Sequence, residues 1–416
     1  MKIWIKLLIG IGIGAVIAVF LPEGDAALTV VNDIAIICVQ IGKYAVFPLV
    51  FFSFIVAVYE LKLEKRLLPV LRKFLMYVFI LTGVLALIGT VSGIFLPAQR
   101  VPRSGAVTPV VSALPFLEVL KRQVFPDNIL TVFTQAGFSL FPLIVLALLV
   151  GLNIDYERQF TRPVAQFADG MSRIMYHINS FFVEVFWIGM IAVSAARVLA
   201  LRNLKGGEAF IPLFIALSLD FLLAVFLILP IFLYYINNRK NPFHWLYASL
   251  GPALTAFLTG DSYLTVGMLT KHGKENMHVP RKIGSTVYTL GSVFSKAGTA
   301  MVAAVCIVVL RKATLGGDIP VLEYFWIFFA SIALSLFISI ISAPFPQVGA
   351  YAAIAFICLT YIQPNMPVDK YLDVGQLAPF LICVGAVVDV LVSSLAAYRI
   401  TQELEFREDI DVKRCI

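Results

Sequence analysis

The chain has 416 residues, 60% of them hydrophobic and 14% charged, with a mean hydropathy of +0.93. That composition excludes an ordinary soluble domain and fits an all-α polytopic membrane protein. The net charge of +7 would point to nucleic acid in a soluble chain, but the lysines and arginines gather in alternate loops, which marks membrane topology, so no nucleic-acid partner is expected.

Apolar runs of spanning length recur from end to end. The first, Ile3 to Leu21, is close to a signal peptide in length but lacks a small-residue cleavage motif before Leu21-Pro22, and reads as a retained first helix. Ile34 to Tyr59 follows, with Asp33 and Lys43 near its outer end read as interfacial, then Phe74 to Leu96, Ile129 to Leu152, Ile174 to Ala200 and Phe210 to Ile236. Outer-membrane strands would alternate in shorter segments. Lys2, Lys6, the cluster from Lys62 to Lys73, Arg158, Arg162, Arg239, Lys240, Lys271 to Lys282 and the tail Arg407 to Arg414 fall on one side. That side, with both termini, is read as the cytoplasmic face of an inner membrane, with Arg100, Arg103, Lys121 and Arg122 as exceptions. Five scattered cysteines show no pairing or metal spacing, and no metal or cofactor is expected.

From Asn241 to Thr270 an apolar segment is interrupted at Thr259-Gly-Asp-Ser262 and flanked by basic residues at both ends, Arg239-Lys240 and Lys271-Lys274. Flanks on the same side mean that the chain enters, turns at the polar tip and leaves, a re-entrant hairpin whose tip must be satisfied by protein or a watery cavity. The next run, Ile283 to Leu310, contains Lys296 in Ser295-Lys-Ala-Gly-Thr299. At ~1.5 Å per residue the ends of this run lie ~20 Å away, beyond a lysine's reach. A cation at that depth costs ~3 to more than ~10 kcal/mol, so such residues usually line a substrate or ion path.

Leu322 to Ile362 is too long for one helix and is broken at Ser342-Ala-Pro-Phe-Pro-Gln-Val-Gly349, where Pro344 and Pro346 stop the helix and predict a second hairpin. The final run, Leu377 to Tyr398, carries Asp389. Each hairpin thus precedes a long helix with one buried ionisable residue. Interrupted apolar segments at corresponding places in two repeats point to the midplane site of a secondary transporter.

The chain resembles the dicarboxylate/amino acid:cation symporter family, the glutamate transporter homologues. The residues that carry this are Val46-Phe-Pro-Leu-Val-Phe-Phe-Ser53, Pro126-Asp-Asn128, Leu140 to Gly151, Ala253-Leu-Thr-Ala-Phe-Leu-Thr259 and Gly298-Thr299, in the family's order and spacing. The resemblance implies eight transmembrane helices plus two re-entrant helical hairpins, inverted repeats, a homotrimer and an elevator motion. It implies scaffold helices 1–2 in residues 1–70, transport-domain helix 3 in 71–97, and scaffold helices 4–5 in 98–205. Helix 6, both hairpins and helices 7 and 8 of the transport domain fall in 206–402, and a cytoplasmic tail in 403–416.

The departures concern the chemistry. Where the family has Asn-Met-Asp-Gly-Thr in its unwound seventh helix, this chain has Ser295, Lys296, Ala297, Gly298, Thr299. In the last helix Asp389 and Ser393 match the family's first aspartate and threonine, while Val392, Ala396 and Ile400 stand at the arginine, asparagine and second-aspartate places. A hard cation such as sodium needs several oxygen ligands with carboxylate among them. An ammonium ~4 Å away would add repulsion of order 4 kcal/mol at an effective dielectric near 20. Weak or absent sodium coupling is therefore expected, with Lys296 as a tethered replacement for a bound cation, pairing with Asp389 in at least part of the cycle. Desolvation favours a neutral amine, which could link Lys296 to a proton gradient. Thr82 matches a family cation-site hydroxyl, and carbonyls at the second hairpin leave one residual sodium site as the alternative.

For the substrate the resemblance implies an amino acid or other small carboxylate or dicarboxylate, its amino group at Asp389 and its pocket completed by Ser393, Thr299, Ser262 and the segment Phe345 to Gly349. Asp261, where the family has serine, either meets the substrate amine or Lys296, or closes a gate. Inward helix N-termini at the hairpin tips suit a carboxylate. Arg399 reads as a cytoplasmic-end anchor, with a second-carboxylate role as the alternative. An intramembrane enzyme is not supported, because His177, His244, His272 and His278 lie at predicted span ends or loops and Glu184 and Asp220 lack evident partners. A channel or non-transporting sensor and an ordinary sodium-coupled glutamate or aspartate symporter are the alternatives.

Overall fold

The computed structural model describes residues 2–22, 25–96, 140–156, 158–202, 211–236, 239, 241–315, 319–341 and 378–404. Among them every regular element is helical. Seven helical stretches are long and apolar enough to cross a membrane. The fourth predicted helix and the second hairpin lie partly or largely outside the described residues, so the expected eight spans and two hairpins are not counted here.

Helix α1 (Ile3–Phe20) lies along α6 (Arg158–Arg202), whose 45 residues make it the longest helix and carry it well beyond the predicted Ile174 to Ala200. Gly10 and Gly14 permit the close crossing, since a Cβ on either would collide with the carbonyls of Trp187 and Ile191. The predicted span Ile34 to Tyr59 is two helices, α2 (Asp25–Lys43) and α3 (Val46–Leu63), with a turn at Tyr44 and Ala45. Pro48 explains the break: it cannot donate to Tyr44 O, and its ring would clash with that carbonyl in a continuous helix. In the first turn of α3 the missing N–H costs little.

Helix α4 (Leu67–Phe95) packs on α13 (Ala297–Leu315), with Gly89 facing the Met301 carbonyl and Gly93 facing Val308. Lys312 of α13 donates to Ile94 O at 2.5 Å and Leu96 O at 2.9 Å, capping carbonyls that a helix end leaves unpaired. Helix α5 (Leu140–Asn153) lies against α3. The run Phe210 to Ile236 is also not one regular helix: α7 (Ile211–Leu222) passes through a π-helical segment, Leu223–Ile228, into α8 (Leu229–Ile236). Pro230 lies just beyond, without a donor for Phe226 O, and the wider turn lets Leu229 N bond Ala224 O instead.

The short α9 (Phe243–Ala248) leads into α10 (Leu250–Thr259), α11 (Ser262–Asn276) and α12 (Arg281–Phe294). Helix α14 (Val321–Ile341) and α15 (Ala378–Glu403) complete the described chain. Within the apolar 18-residue windows of Arg281–Val309 and Phe380–Glu403, 89% is buried, against 22% for Ile3–Phe20 and 28% for the window in Ile211–Ile236. Helices α12, α13 and α15 therefore form the centre, and α1, α7 and α8 its periphery. A second apolar cluster joins α1, α2 and α6 through Leu7, Ala35, Phe186 and Met190, and takes in Leu258, Leu264 and Met268 of α10 and α11.

Candidate functional site

Helices α10 and α11 meet at a two-residue tip. Gly260 adopts φ 66°, the left-handed conformation in which a side chain is strained, and ends α10. Asp261 begins α11 as its N-cap: Oδ1 accepts from Tyr263 N at 2.9 Å and Leu264 N at 3.1 Å. The helices run antiparallel, since Gly251 near the start of α10 packs against the His272 ring near the end of α11. The expected helical hairpin is thus present as a local structure.

Two cations from other helices hold this tip. Lys43, the last residue of α2, forms an ion pair with Asp261 Oδ2, and both side chains are largely buried. Arg197 of α6 donates to Leu258 O at 2.9 Å and Thr259 O at 3.2 Å, neutralising the negative end of α10. The reading of Lys43 as an interfacial residue is corrected: it reaches the hairpin tip. The sequence does not single out Arg197, because it lies three residues from the end of the run Ile174 to Ala200, within reach of a snorkelling side chain.

The long run around Lys296 is not one continuous helix. Helix α12 ends at Phe294, Ser295 is extended at φ −83° and ψ 90°, and α13 starts at Ala297. A continuous helix would bond Gly298 N to Phe294 O and Thr299 N to Ser295 O. Both amides instead donate to Asp389 Oδ1 of α15, at 2.7 and 3.2 Å, and the Thr299 hydroxyl donates to Oδ2 at 2.6 Å. Ser295 Oγ donates to the Asp389 carbonyl at 2.9 Å, as does Ser393 Oγ at 3.1 Å. A carboxylate from one helix thus caps the N-terminus of another, where the backbone's partial positive charge favours it. Gly298 makes this possible, because a Cβ there would collide with the Gly385 carbonyl.

Lys296 sits in the break, 7% exposed, and donates to Ser262 Oγ at the start of α11 at 3.0 Å. It makes no direct ion pair among the described residues in this conformation, while the carboxylates of Asp389 and Asp261 both attract its charge. Asp389 is already engaged by the α13 N-terminus, and the ammonium turns toward the hairpin tip. At the N-terminus of α11, Asp261 accepts from the amides of Tyr263 and Leu264.

The other expected residues divide. Ser262, Lys296 and Asp261 converge at the hairpin tip, while Thr299, Asp389 and Ser393 are joined at the helix break. Ser393 packs on Gly291 of α12. Thr82 donates to Val78 O of its own helix at 2.7 Å and bonds neither Lys296 nor Asp389. Phe345 and Gly349 lie outside the described residues. Arg399 pairs with Glu403, which also meets Lys73 and Tyr77, in keeping with an anchor at the helix end. Two acids read as unpartnered have partners: Glu184 pairs with the buried Lys271 at 2.5 Å, and Asp220 accepts from Ser92 Oγ at 2.6 Å.

Residues 3–397 match the sodium:dicarboxylate symporter family. The neutral amino acid transporter A of Homo sapiens is 24% identical over 183 residues, which is 43% of this chain and 34% of that protein. The excitatory amino acid transporter 3 of Homo sapiens is 26% identical over 185 residues, 43% of this chain and 35% of that protein. Each of these matches spans about a third of the human protein's length. The proton/sodium-glutamate symport protein of Geobacillus stearothermophilus is 23% identical over 413 residues, 95% of this chain and 92% of its own.

Proposed function

The chain belongs to the sodium:dicarboxylate symporter family, and we propose that it is a secondary active transporter of an amino acid or small carboxylate that works with weak or no sodium coupling. The observation that carries this reading is the buried Lys296 ammonium at the helix break, 3.0 Å from Ser262 Oγ, where the family's sodium-liganding side chains are replaced. A fixed positive charge there does part of what a bound cation would do, and repels one that tries to enter. Gain and loss of the lysine proton supplies the alternative route to a driving force.

In this reading the protein sits in the inner membrane with both termini cytoplasmic and acts as a homotrimer. Residues 1–70 and 98–205 form the scaffold, and 71–97 and 206–402 the moving transport domain. Lys43 and Arg197 then link scaffold helices to the hairpin of the moving part, and an elevator stroke must break both contacts.

The test is counterflow and uptake of radiolabelled amino acids and carboxylates in proteoliposomes, with sodium and proton gradients imposed separately, for wild type and Lys296→Met. Sodium-independent transport whose ion dependence changes in the variant supports the reading. Steep sodium dependence in the wild type replaces it with a sodium-coupled symporter, and flux that neither saturates nor exchanges replaces it with a channel.

A further inference from the structure

We infer that Lys296 and Ser262 form the carboxylate-reading pair of the substrate site, and that this site selects a small monocarboxylate without an ammonium group, such as a hydroxy acid, over the amino acid of the same skeleton. The inference rests on the transport reading above and narrows its substrate class.

The argument is an inventory of donors and acceptors. A carboxylate offers about four acceptor positions. Asp389 has three occupied, two of them by the first-turn backbone amides of Gly298 and Thr299, which have no intrahelical partner, and one by the Thr299 hydroxyl. Asp261 likewise has three occupied, by Tyr263 N, Leu264 N and the Lys43 ammonium. Both carboxylates also sit at helix N-termini, whose positive ends already offset their charge. Each therefore keeps about one acceptor position, fewer than the three N–H groups of a substrate ammonium call for.

The donors are in the opposite state. An ammonium has three N–H groups in tetrahedral arrangement. Among the described residues that of Lys296 uses one, on Ser262 Oγ, although the residue is 7% exposed. Asp389 and Asp261 attract this ammonium without bonding it, so its spare donors are open to an anion that reaches them directly. Ser262 and Thr299, both only half-buried, are the most accessible polar members of the site. A carboxylate placed there meets the ammonium directly, with Ser262 positioned beside it, whereas a substrate ammonium would have to enter next to Lys296.

One cation also means one carboxylate. The family's arginine position is Val392, and the segment from Ser342 to Gly349 carries no charged residue. Lys43 is paired with Asp261, and Arg197 is engaged with the Leu258 and Thr259 carbonyls. A second carboxylate on the substrate therefore has no described cation to meet.

The experiment is calorimetric titration of the purified full-length protein in lipid nanodiscs with matched pairs, L-lactate against L-alanine and L-malate against L-aspartate. We expect L-lactate to bind about tenfold or more tighter than L-alanine, and L-malate no tighter than L-lactate. Lys296→Met should lose about tenfold or more for L-lactate, Lys296→Arg should recover part of it, and Ser262→Ala should lose about threefold or more. If Lys296→Met does not fold, the wild-type ratios and Ser262→Ala decide alone. L-alanine binding as tightly as L-lactate overturns the inference and leaves the transport reading in place. Tighter binding of L-malate overturns the single-carboxylate part, and no heat from any of the four ligands overturns the inference as a whole. Counterflow in the proteoliposome panel judges the transport reading separately.

Discussion

Asp389→Asn separates the cap described above from a substrate-binding aspartate. Asn keeps the shape and can still accept from the Gly298 and Thr299 amides, but it turns an amino group toward the Thr299 hydroxyl and removes the charge from the end of α13. Hydrogen bonds to a charged group contribute about 1.5–3 kcal/mol and neutral ones about 0.5–1.5. Three such bonds are weakened, and a helix-end charge in a partly buried setting adds up to ~2 kcal/mol. Because these contributions overlap and Asp389 is only 3% exposed, the expected destabilisation is about 2–4 kcal/mol. Asp389→Ala, which leaves two amides and a hydroxyl without an acceptor, should exceed it. The assay is equilibrium unfolding of purified, ligand-free protein by denaturant in mixed micelles, followed by helical circular dichroism. An Asp389→Asn protein within ~0.5 kcal/mol of wild type would refute the cap. That result together with lost substrate binding would return Asp389 to a substrate role.

Further outcomes follow from other contacts. Lys43→Met strands the buried Asp261 carboxylate and should cost about 2–4 kcal/mol, with Asp261→Asn in the same chain recovering part of it. Thiol labelling of a Ser262→Cys reporter should speed up when Lys43 is removed, and unchanged labelling would show that the ion pair does not hold the tip. Gly298→Ala drives a methyl into the Gly385 carbonyl and should destabilise by about 1–3 kcal/mol or more, read in the same unfolding assay. Sodium at a concentration well above physiological should leave the wild-type unfolding midpoint unshifted, because a ligand stabilises only as far as it binds the folded state. A rise with sodium concentration would contradict the loss of sodium sites.

The fold was legible in the sequence where local chemistry settles the backbone. Gly260 followed by Asp261 reads as a helix end and a helix start, and the hairpin forms there. Pro48 and Pro230 were equally readable, yet both runs were taken as single helices because apolar length outweighed one residue. For the site, composition and depth singled out Lys296 and Asp389, and both are buried beside the helix break. The expected pairing of Lys296 with Asp389 belongs to part of a transport cycle; in this conformation the α13 amides bond Asp389 and Lys296 bonds Ser262.

By itself, then, the sequence determined that the chain is helical, that it is apolar enough to cross a membrane repeatedly, where one hairpin turns, and which buried charges need an explanation. These follow from hydropathy, glycine and proline conformation, and the cost of burying a charge, all of which act within a few residues. The break at Ser295 and Lys296 was implied only by the resemblance to an unwound helix, and the tertiary structure supplied its cause: it has no proline and depends on a carboxylate 91 residues from Gly298. The tertiary structure alone decided that Lys43 and Arg197 grip the tip and that Lys296 faces Ser262. Such partners are chosen by which unsatisfied donors and acceptors packing brings within reach, and spacing along the chain carries no record of that approach.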